Sequence, residues 1–152
     1  MEGGIKIAKV MLIGGIQSGK STLTEKLLSS DIVVVKTQAL NYRQWIIDTP
    51  GEYTENPLYY KAIMATALEV STFLLIQDST KSQCVFPHGF VGGINKKLIG
   101  VLTKADHPKA NLEKAEQLLR QAIPKVSIVI TSSYTGLGIK ELLTLINHDG
   151  RV

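Results

Sequence analysis

An α/β fold with three layers is predicted for this chain: a mostly parallel sheet of about six strands, with helices on both faces. Three observations predict this fold. Apolar runs recur along the chain without the alternation of polar residues that a half-exposed sheet shows. Segments with apolar residues at helical spacing separate these runs. A glycine-rich loop directly follows the first run and leads into the first helical segment.

Five apolar runs are assigned as strands, and four segments between or after them are assigned as helices. The predicted strands are residues 7–13, 45–47, 72–76, 97–102 and 126–130. The predicted helices are residues 21–29, 57–70, 111–123 and 138–147. Apolar residues of the second helix are Leu58, Ala62, Ala65 and Leu68; those of the last helix, expected to face inward, are Ile139, Leu142, Leu143 and Ile146. Residues 79–95, rich in glycine, are predicted as a loop, and residues 1–152 as a single domain.

The composition is that of a globular protein and excludes several classes of protein. Of the 152 residues, 44% are hydrophobic and 20% are charged, which argues against disorder. A single cysteine, Cys84, excludes an internal disulfide and fits a reducing compartment, where it is expected to fill space. No apolar run approaches the ~20 residues that span a membrane, and no signal-peptide pattern is present. The net charge of +4 is scattered, so we expect a cytoplasmic protein with neither a membrane nor a nucleic acid as partner.

The glycine-rich loop, Gly14-Gly15-Ile16-Gln17-Ser18-Gly19-Lys20-Ser21, is a complete G-x-x-x-x-G-K-[ST] phosphate-binding sequence. Its glycines allow successive backbone N–H groups to turn inward around phosphate oxygens. Lys20 is expected to reach the β- and γ-phosphates, and the Ser21 hydroxyl to ligate Mg²⁺. The helix that begins here favours an anion at its first turn. The chain is therefore predicted to bind a nucleoside triphosphate and Mg²⁺ through Gly14, Gly15, Gln17, Ser18, Gly19, Lys20, Ser21 and Thr22.

Asp48-Thr49-Pro50-Gly51 follows the second predicted strand and is the next phosphate motif, a D-x-x-G. Asp48 is expected to hold Mg²⁺ through water. The Gly51 amide is expected to bond a γ-phosphate oxygen. A bare turn is the alternative, but the position directly after a buried strand favours the phosphate site.

Two further motifs follow later strands and indicate where a base would bind. Thr103-Lys104-Ala105-Asp106 comes after the fourth strand, and the Asp106 carboxylate can accept hydrogen bonds from guanine N1–H and its exocyclic amine. Thr131-Ser132-Ser133 comes after the fifth strand, and its backbone can meet the base oxygen. Each motif is weak by itself, but four in this order, each at a strand end, indicate one nucleotide site.

The order GGIQSGKS, DTPGE, TKAD and TSS resembles the Ras-like P-loop GTPases of the Era and TrmE branch. Residues 8–147 more closely resemble the EutP/PduV family of ethanolamine- and propanediol-utilisation proteins. The stretches KTQAL, IDTPGEYTENPLYYKAI, IGVLTKAD and TSSYTGLGIKEL carry that closer similarity. The resemblance implies a bacterial setting in metabolic microcompartments, whose shell or enzyme proteins are then candidate partners. It also implies ATP or GTP as the bound nucleotide.

Three departures from regulatory GTPases are visible. Thr103 replaces an Asn that ties the base loop to the phosphate loop; we expect that hydrogen bond, worth about 1–2 kcal/mol, to be lost and base selectivity to be relaxed. Glu52 replaces the glutamine that orients the attacking water, which predicts slow hydrolysis. Thr37, the candidate switch threonine for Mg²⁺, lies only 11 positions before Asp48, which predicts a short edge strand. A solvated loop residue is the alternative for Thr37.

Three functions remain open from the sequence. The first is a slow, Mg²⁺-dependent nucleoside triphosphatase with Lys20, Glu52 and Thr37 as its catalytic residues, whose loops change shape with the γ-phosphate. The second, implied by the resemblance, is a kinase that transfers phosphate between a nucleotide and acetate. The third is a nucleotide-binding adaptor with negligible turnover, which Glu52 favours. The tyrosines that follow Gly51 either grip a partner or pack the second helix.

Overall fold

The computed structural model describes residues 9–31, 46–48, 58, 60–86 and 95–148. Strands and helices alternate along these residues as the sequence predicts, except that no helix lies between β3 and β4 in the described part of the chain. In chain order they are β1 (Val10–Gly14), α1 (Lys20–Asp31), β2 (Ile46–Asp48), α2 (Tyr60–Ala67), β3 (Thr72–Asp78), β4 (Lys97–Thr103), α3 (Leu112–Ala122), β5 (Ser127–Ile130) and α4 (Ile139–His148).

The described strands form one parallel sheet in the order β2-β1-β3-β4-β5. Five strands are present among the described residues, close to the predicted six, and β2 corresponds to the strand predicted at residues 45–47. The short edge strand predicted between Thr37 and that strand lies outside the described residues. The register sets Leu12 beside Asp48, Gly14 beside Ile76, and Asp78 beside Thr103. The chain passes from β2 across β1 to β3, so the strand order reverses at β1. A ligand crevice is expected outside the carboxyl end of that strand.

Alternate residues of β1 pack into two separate cores, one on each face of the sheet. The sheet and the helices on its two faces form the three layers. Val10 and Leu12 pack with residues of α1 and α4 on one face, whereas Met11 and Ile13 pack with residues of α2 and α3 on the other. All four side chains are fully buried. This arrangement explains why the strand is apolar throughout instead of alternating.

Helix α4 buries the face that the sequence predicts, and helix α3 also buries one apolar face. Ala115, Leu119 and Ala122 are buried on α3, whose first turn is capped by the Asn111 side chain accepting from the Lys114 amide at 3.1 Å. On α4, Ile139, Leu142 and Ile146 are buried and Leu143 is partly buried against the same core.

Helix α2 is shorter than predicted, and three of the apolar residues named for it are exposed. Leu58 and Leu68 are 85% and 81% exposed, and Ala65 is also exposed, so these three residues do not form an inward face. Ile63 is instead buried and Met64 half-buried in the core of Met11 and Ile13. The helix ends at Ala67, and a turn carries Leu68 outward while Val70 returns to the core.

Residues 79–86 are irregular, in agreement with the predicted loop. Phe86 is buried and anchors this segment on the core of α2 and α3. Burial raises the pKa of the half-buried Cys84 thiol, which favours the space-filling role expected for it. Among the helices of the described residues, none combines the length and the apolar character needed to cross a membrane.

Candidate nucleotide-binding site

The phosphate loop connects β1 to α1 at the point where the strand order reverses. The Ser18 amide donates to Gly15 O at 3.2 Å, and the Leu23 amide donates to Gly19 O at 2.9 Å as α1 begins. Gln17 and Gly19 have positive φ angles of 61° and 100°. These two left-handed residues turn the loop back over the start of the helix, which is the geometry of a backbone anion site.

Position 14 requires glycine because the surrounding atoms leave no space for a Cβ atom, and not because of its backbone dihedral angles. A Cβ atom at this position would lie 2.8 Å from Ser18 Oγ and 2.9 Å from Ile76 Cβ. The second atom belongs to a β-branched side chain inside the sheet, so it has little freedom to move. The glycine therefore lets Ser18 and β3 approach the end of β1 together.

Lys20 is the first residue of α1 and is buried, with its side chain folded back along the loop. Its Nζ lies 3.4 Å from Gly15 O, which is long for a hydrogen bond. The Lys20 ammonium group therefore lies beside Gly15, near the N-terminal end of the phosphate loop. This is where the pattern places the β- and γ-phosphates.

The two predicted Mg²⁺ ligands within the described residues, Ser21 and Asp48, belong to elements that adjoin this loop. Ser21 is exposed in the first turn of α1, and Asp48 ends β2 in register with Leu12 of β1. A hydroxyl and a carboxylate are the ligands that Mg²⁺ takes in phosphate sites, usually with waters. When bound, the ion would neutralise charge that develops on the phosphates.

Thr103 corrects one expectation from the sequence. Its hydroxyl donates to Ser18 O at 2.7 Å, and the side chain is buried. The base loop is thus tied to the phosphate loop through Thr103, and the expected loss of this hydrogen bond is wrong. The tie forms because Thr103 is still part of β4, so the strand itself brings the short side chain against Ser18.

Lys104 makes a second tie, together with an acidic residue that the motifs did not single out. Its Nζ donates to Gln17 O at 2.9 Å and lies 2.8 Å from Asp78 Oδ2. Asp78 also accepts from the Thr80 amide at 2.8 Å and the Thr80 hydroxyl at 2.6 Å. Burial by itself would raise the pKa of Asp78, but these donors and the Lys104 charge outweigh it and hold the pKa below its ordinary value.

Asp106 lies in a cavity of about 280 Å³, large enough for part of a nucleotide. The Ser132 hydroxyl donates to Asp106 Oδ1 at 2.7 Å and fixes the carboxylate. The Ala105 amide donates to Thr131 O at 3.1 Å, so the loops after β4 and β5 are neighbours. The predicted nucleotide residues that line this cavity are Gly19, Thr22, Thr103, Lys104, Asp106 and Ser133.

Tyr134 and His107 also line this cavity and were not predicted. Tyr134 is 88% exposed, and an aromatic ring at the mouth of such a cavity suits stacking on a purine. Its position directly after the T-S-S motif is the signal that sequence reasoning could have used. His107 follows the T-K-A-D motif in the same way.

A second cavity of about 330 Å³ lies on the other side of the phosphate loop. Gly15, Ile16 and Ser18 of the loop form one wall, and the end of β3 with the following turn forms the other. The structure thus places open space at both ends of the loop. The remaining site residues of the sequence analysis, Thr37, Gly51 and Glu52, lie outside the described residues.

Comparison with protein families agrees with the motifs. A family model described as PduV-EutP, ethanolamine utilisation and propanediol utilisation, matches residues 7–148. A propanediol utilization protein PduV from Citrobacter freundii is 34% identical over 140 residues, covering 91% of this chain and 93% of the relative. A probable acetate kinase EutP from Salmonella typhimurium is 32% identical over 113 residues, covering 73% and 71%.

Comparison with solved structures supports the fold. The FeoB G-domain from Methanococcus jannaschii has a TM-score of 0.65 at 20% identity, covering 95% of this chain and 98% of that one. The elongation factor SelB from Methanococcus maripaludis, in complex with the GTP analogue GppNHp, has a TM-score of 0.64 at 20% identity, covering 97% and 34%. The three-layer P-loop GTPase fold expected from the sequence is therefore confirmed.

Proposed function

Because this chain belongs to the PduV-EutP family of ethanolamine- and propanediol-utilisation proteins, we propose that it is a nucleotide-binding protein of that metabolism. Its ligand is a nucleoside triphosphate, GTP or ATP, bound with Mg²⁺ at the phosphate loop. The protein acts in the cytoplasm and docks on shell or enzyme proteins of a bacterial microcompartment.

One observation carries the nucleotide proposal: the loop that reads the base is tied to the loop that binds phosphate. The Thr103 and Lys104 side chains donate to the carbonyls of Ser18 and Gln17 at 2.7 and 2.9 Å. These contacts brace a phosphate loop that contains left-handed residues, so that its amides are arranged before the ligand arrives. Such preorganisation lowers the entropic cost of binding.

The proposal also concerns which base the protein prefers. Asp106, fixed by Ser132, favours guanine, whose N1–H and amine are both donors. Calorimetry with GTP, ATP and xanthosine triphosphate, each with Mg²⁺, measures the preference. Asp106→Asn exchanges an acceptor for a donor and is expected to move affinity from GTP towards xanthosine triphosphate. Equal binding of all three nucleotides by the parent and by Asp106→Asn would mean that Asp106 does not read the base.

A second candidate function is phosphoryl transfer from the nucleotide to acetate. The cavity beside Gly15 and Ile16 favours it, since it offers room for a small molecule next to the terminal phosphate. A relative at 32% identity is named a probable acetate kinase, which supports the same proposal. One assay separates the functions: nucleoside diphosphate and acyl phosphate are measured independently, with and without acetate.

Each result of that assay identifies one function. Diphosphate without acyl phosphate indicates a triphosphatase, and equal amounts of both indicate a kinase. Tight binding with neither product indicates an adaptor. Glu52→Gln sharpens the distinction, because relief of repulsion near the γ-phosphate is expected to maintain or raise hydrolysis in a triphosphatase. In a kinase the same variant should raise hydrolysis relative to acyl phosphate.

A further inference from the structure

The second cavity has a defined position relative to a bound nucleotide. The base cavity touches Gly19 and Thr22, at the start of α1, whereas the second cavity touches Gly15 and Ile16, at the end of β1. Lys20, the residue that meets the β- and γ-phosphates, points its Nζ at Gly15 O. A nucleotide that follows the loop from the base cavity therefore ends with its terminal phosphate beside the second cavity.

The walls of this cavity combine one cation with apolar side chains. Lys81 is the lysine among the described lining residues, and it forms no ion pair with another described residue. Ile16, Ile76 and Val85 supply apolar surface. Asp78 is also in the wall, but its charge is compensated by Lys104 and by the Thr80 donors.

Ser18 forms part of the loop-side wall of the cavity. Its side chain is 5% exposed, and its Oγ has no hydrogen-bond partner among the described residues. A buried hydroxyl without a partner costs free energy, so such a group is often satisfied by a ligand or a water. The wall of the second cavity thus includes an exposed lysine, a serine whose buried hydroxyl is unsatisfied within the described chain, and apolar side chains.

We propose that this cavity is the acceptor subsite for a short-chain carboxylate, with the Lys81 ammonium holding the carboxylate and Ile16, Ile76 and Val85 contacting the acyl chain. This inference rests on the phosphotransfer function proposed above. Carboxylates and ammonium groups form charge-assisted hydrogen bonds. The apolar lining selects acids with a hydrocarbon tail over purely polar anions.

The turn that carries Lys81 is held in place by hydrogen bonds. The Lys81 amide donates to Asp78 O at 3.2 Å, and Asp78 Oδ1 accepts from Thr80. Gln77 Nε2 donates to Gln83 O at 3.2 Å and to Asp78 O at 3.1 Å. This wall is therefore built before any ligand binds, as an orienting subsite requires.

The reaction at this subsite balances without a general base. A carboxylate oxygen forms a bond to the γ-phosphorus while the bond from that phosphorus to the β,γ-bridging oxygen breaks. The nucleoside diphosphate leaves with the electron pair, and the product is an acyl phosphate. No proton moves, because the acid is already ionised at neutral pH.

Lys81→Met tests the subsite, since it removes the charge and keeps the length of the side chain. The KM for acetate is expected to rise at least tenfold, while the KM for the nucleotide changes less than twofold. Lys81→Arg retains the charge and is expected to recover most of the loss. Lys125→Met, an exposed lysine just before β5 at the other end of the sheet, is the matched control and should change neither constant.

Val85→Phe tests the apolar wall separately. A larger side chain shortens the space for the acyl chain, so the KM for butyrate is expected to rise more than the KM for acetate. Saturation-transfer NMR on the acetate methyl group, with the Mg-nucleotide present, measures occupancy without turnover. Its signal should fall in Lys81→Met and persist in Lys125→Met.

The outcomes separate the subsite from the phosphotransfer function. Acyl phosphate made with an unchanged KM for acetate in Lys81→Met overturns the subsite and leaves phosphotransfer standing. Acetate signal that depends on Lys81, with no acyl phosphate from any short-chain acid, overturns phosphotransfer and supports the subsite. No acetate signal from the parent protein overturns the subsite.

Discussion

The two ends of the phosphate loop differ in how completely their polar groups are satisfied within the described residues. At the base end, Thr103, Lys104 and Ser132 each donate a hydrogen bond of 2.7 to 2.9 Å to a fixed acceptor. At the terminal-phosphate end, the buried Ser18 Oγ has no hydrogen-bond partner in the described chain.

This difference indicates that the two ends of the loop have different roles. The base end is preorganised by the protein, so its geometry should survive the loss of the nucleotide. At the terminal-phosphate end, Ser18 lies in the wall of the second cavity and its hydroxyl is unsatisfied within the described chain, so we expect this end to change more when a ligand binds. Substitutions at the two ends should therefore separate protein stability from ligand affinity.

The largest expected effect comes from Lys20→Ala at the terminal-phosphate end. Affinity for the Mg-nucleotide triphosphate should fall at least 100-fold, about 2.7 kcal/mol, because a charge-assisted contact to the β- and γ-phosphates is lost. The melting temperature without nucleotide should change little. Calorimetry and thermal unfolding measure the two quantities. Parent-like binding by Lys20→Ala would show that the loop does not hold phosphate.

Thr103→Val is the corresponding change at the base end. It is expected to lower the stability of the protein without nucleotide, whereas Lys20→Ala lowers nucleotide affinity. Valine keeps the shape but removes the donor to Ser18 O, so the free energy of unfolding should fall by about 1–2 kcal/mol without nucleotide. Thr103→Ser retains the hydroxyl and is the matched control. Urea denaturation of both variants measures the difference. Equal stability of Thr103→Val and Thr103→Ser would show that the hydrogen bond from Thr103 to Ser18 O does not stabilise the fold.

The sequence predicted the order of the strands and placed their carboxyl ends within two residues, but it did not predict every contact made there. Motifs with fixed spacing located Lys20, Ser21, Thr103 and Asp106, because each follows an apolar run that the sheet must bury. Asp78 was missed because no motif contains it, although it ends β3 as Asp48 ends β2.

Two other expectations depended on details that spacing does not contain. The effect of Thr103 was misjudged because the reach of a short side chain depends on where β4 ends, and strand ends are poorly set by an apolar pattern. The length of α2 was overestimated because its apolar pattern continues beyond the observed helix to Leu58 and Leu68, which are exposed.

Asp78→Asn tests the ion pair between Asp78 and Lys104, and its effect on the free energy of unfolding should depend on pH. The folded-state pKa of Asp78 is lowered, so its ionised form stabilises the fold above the unfolded-state pKa, and that stabilisation is lost as pH falls through the folded pKa. The variant should be less stable than the parent by roughly 1–2 kcal/mol at pH 7. The difference should shrink below about pH 4.

Urea unfolding of both proteins between pH 3 and 7, without nucleotide, measures this dependence. Glu116→Gln is the control, because Glu116 pairs with Arg120 on the surface of α3, where both side chains are more than one-third exposed. Exposed pairs contribute little, so its profile should follow the parent. A pH-independent difference between the parent and Asp78→Asn would assign the effect to packing.

The smallest expected effect concerns the backbone of the loop itself. Gln17 and Lys104, joined by a hydrogen bond from Nζ to the Gln17 carbonyl, both have φ near +60° (61° and 62°). This left-handed conformation costs an L-residue about 1 kcal/mol, and glycine avoids that cost but loses more entropy on folding. Gln17→Gly keeps the carbonyl that Lys104 contacts, so it should be neutral or more stable by up to about 1 kcal/mol.

Gln17→Val is the matched opposite, since a β-branched residue tolerates positive φ poorly; it should destabilise the protein by more than about 1 kcal/mol. Chemical denaturation without nucleotide measures both variants. If the base end holds the loop in this conformation, nucleotide affinity in Gln17→Gly stays within a few-fold of the parent. A large loss of affinity in Gln17→Gly would mean that the Gln17 side chain, and not only its carbonyl, contacts the nucleotide.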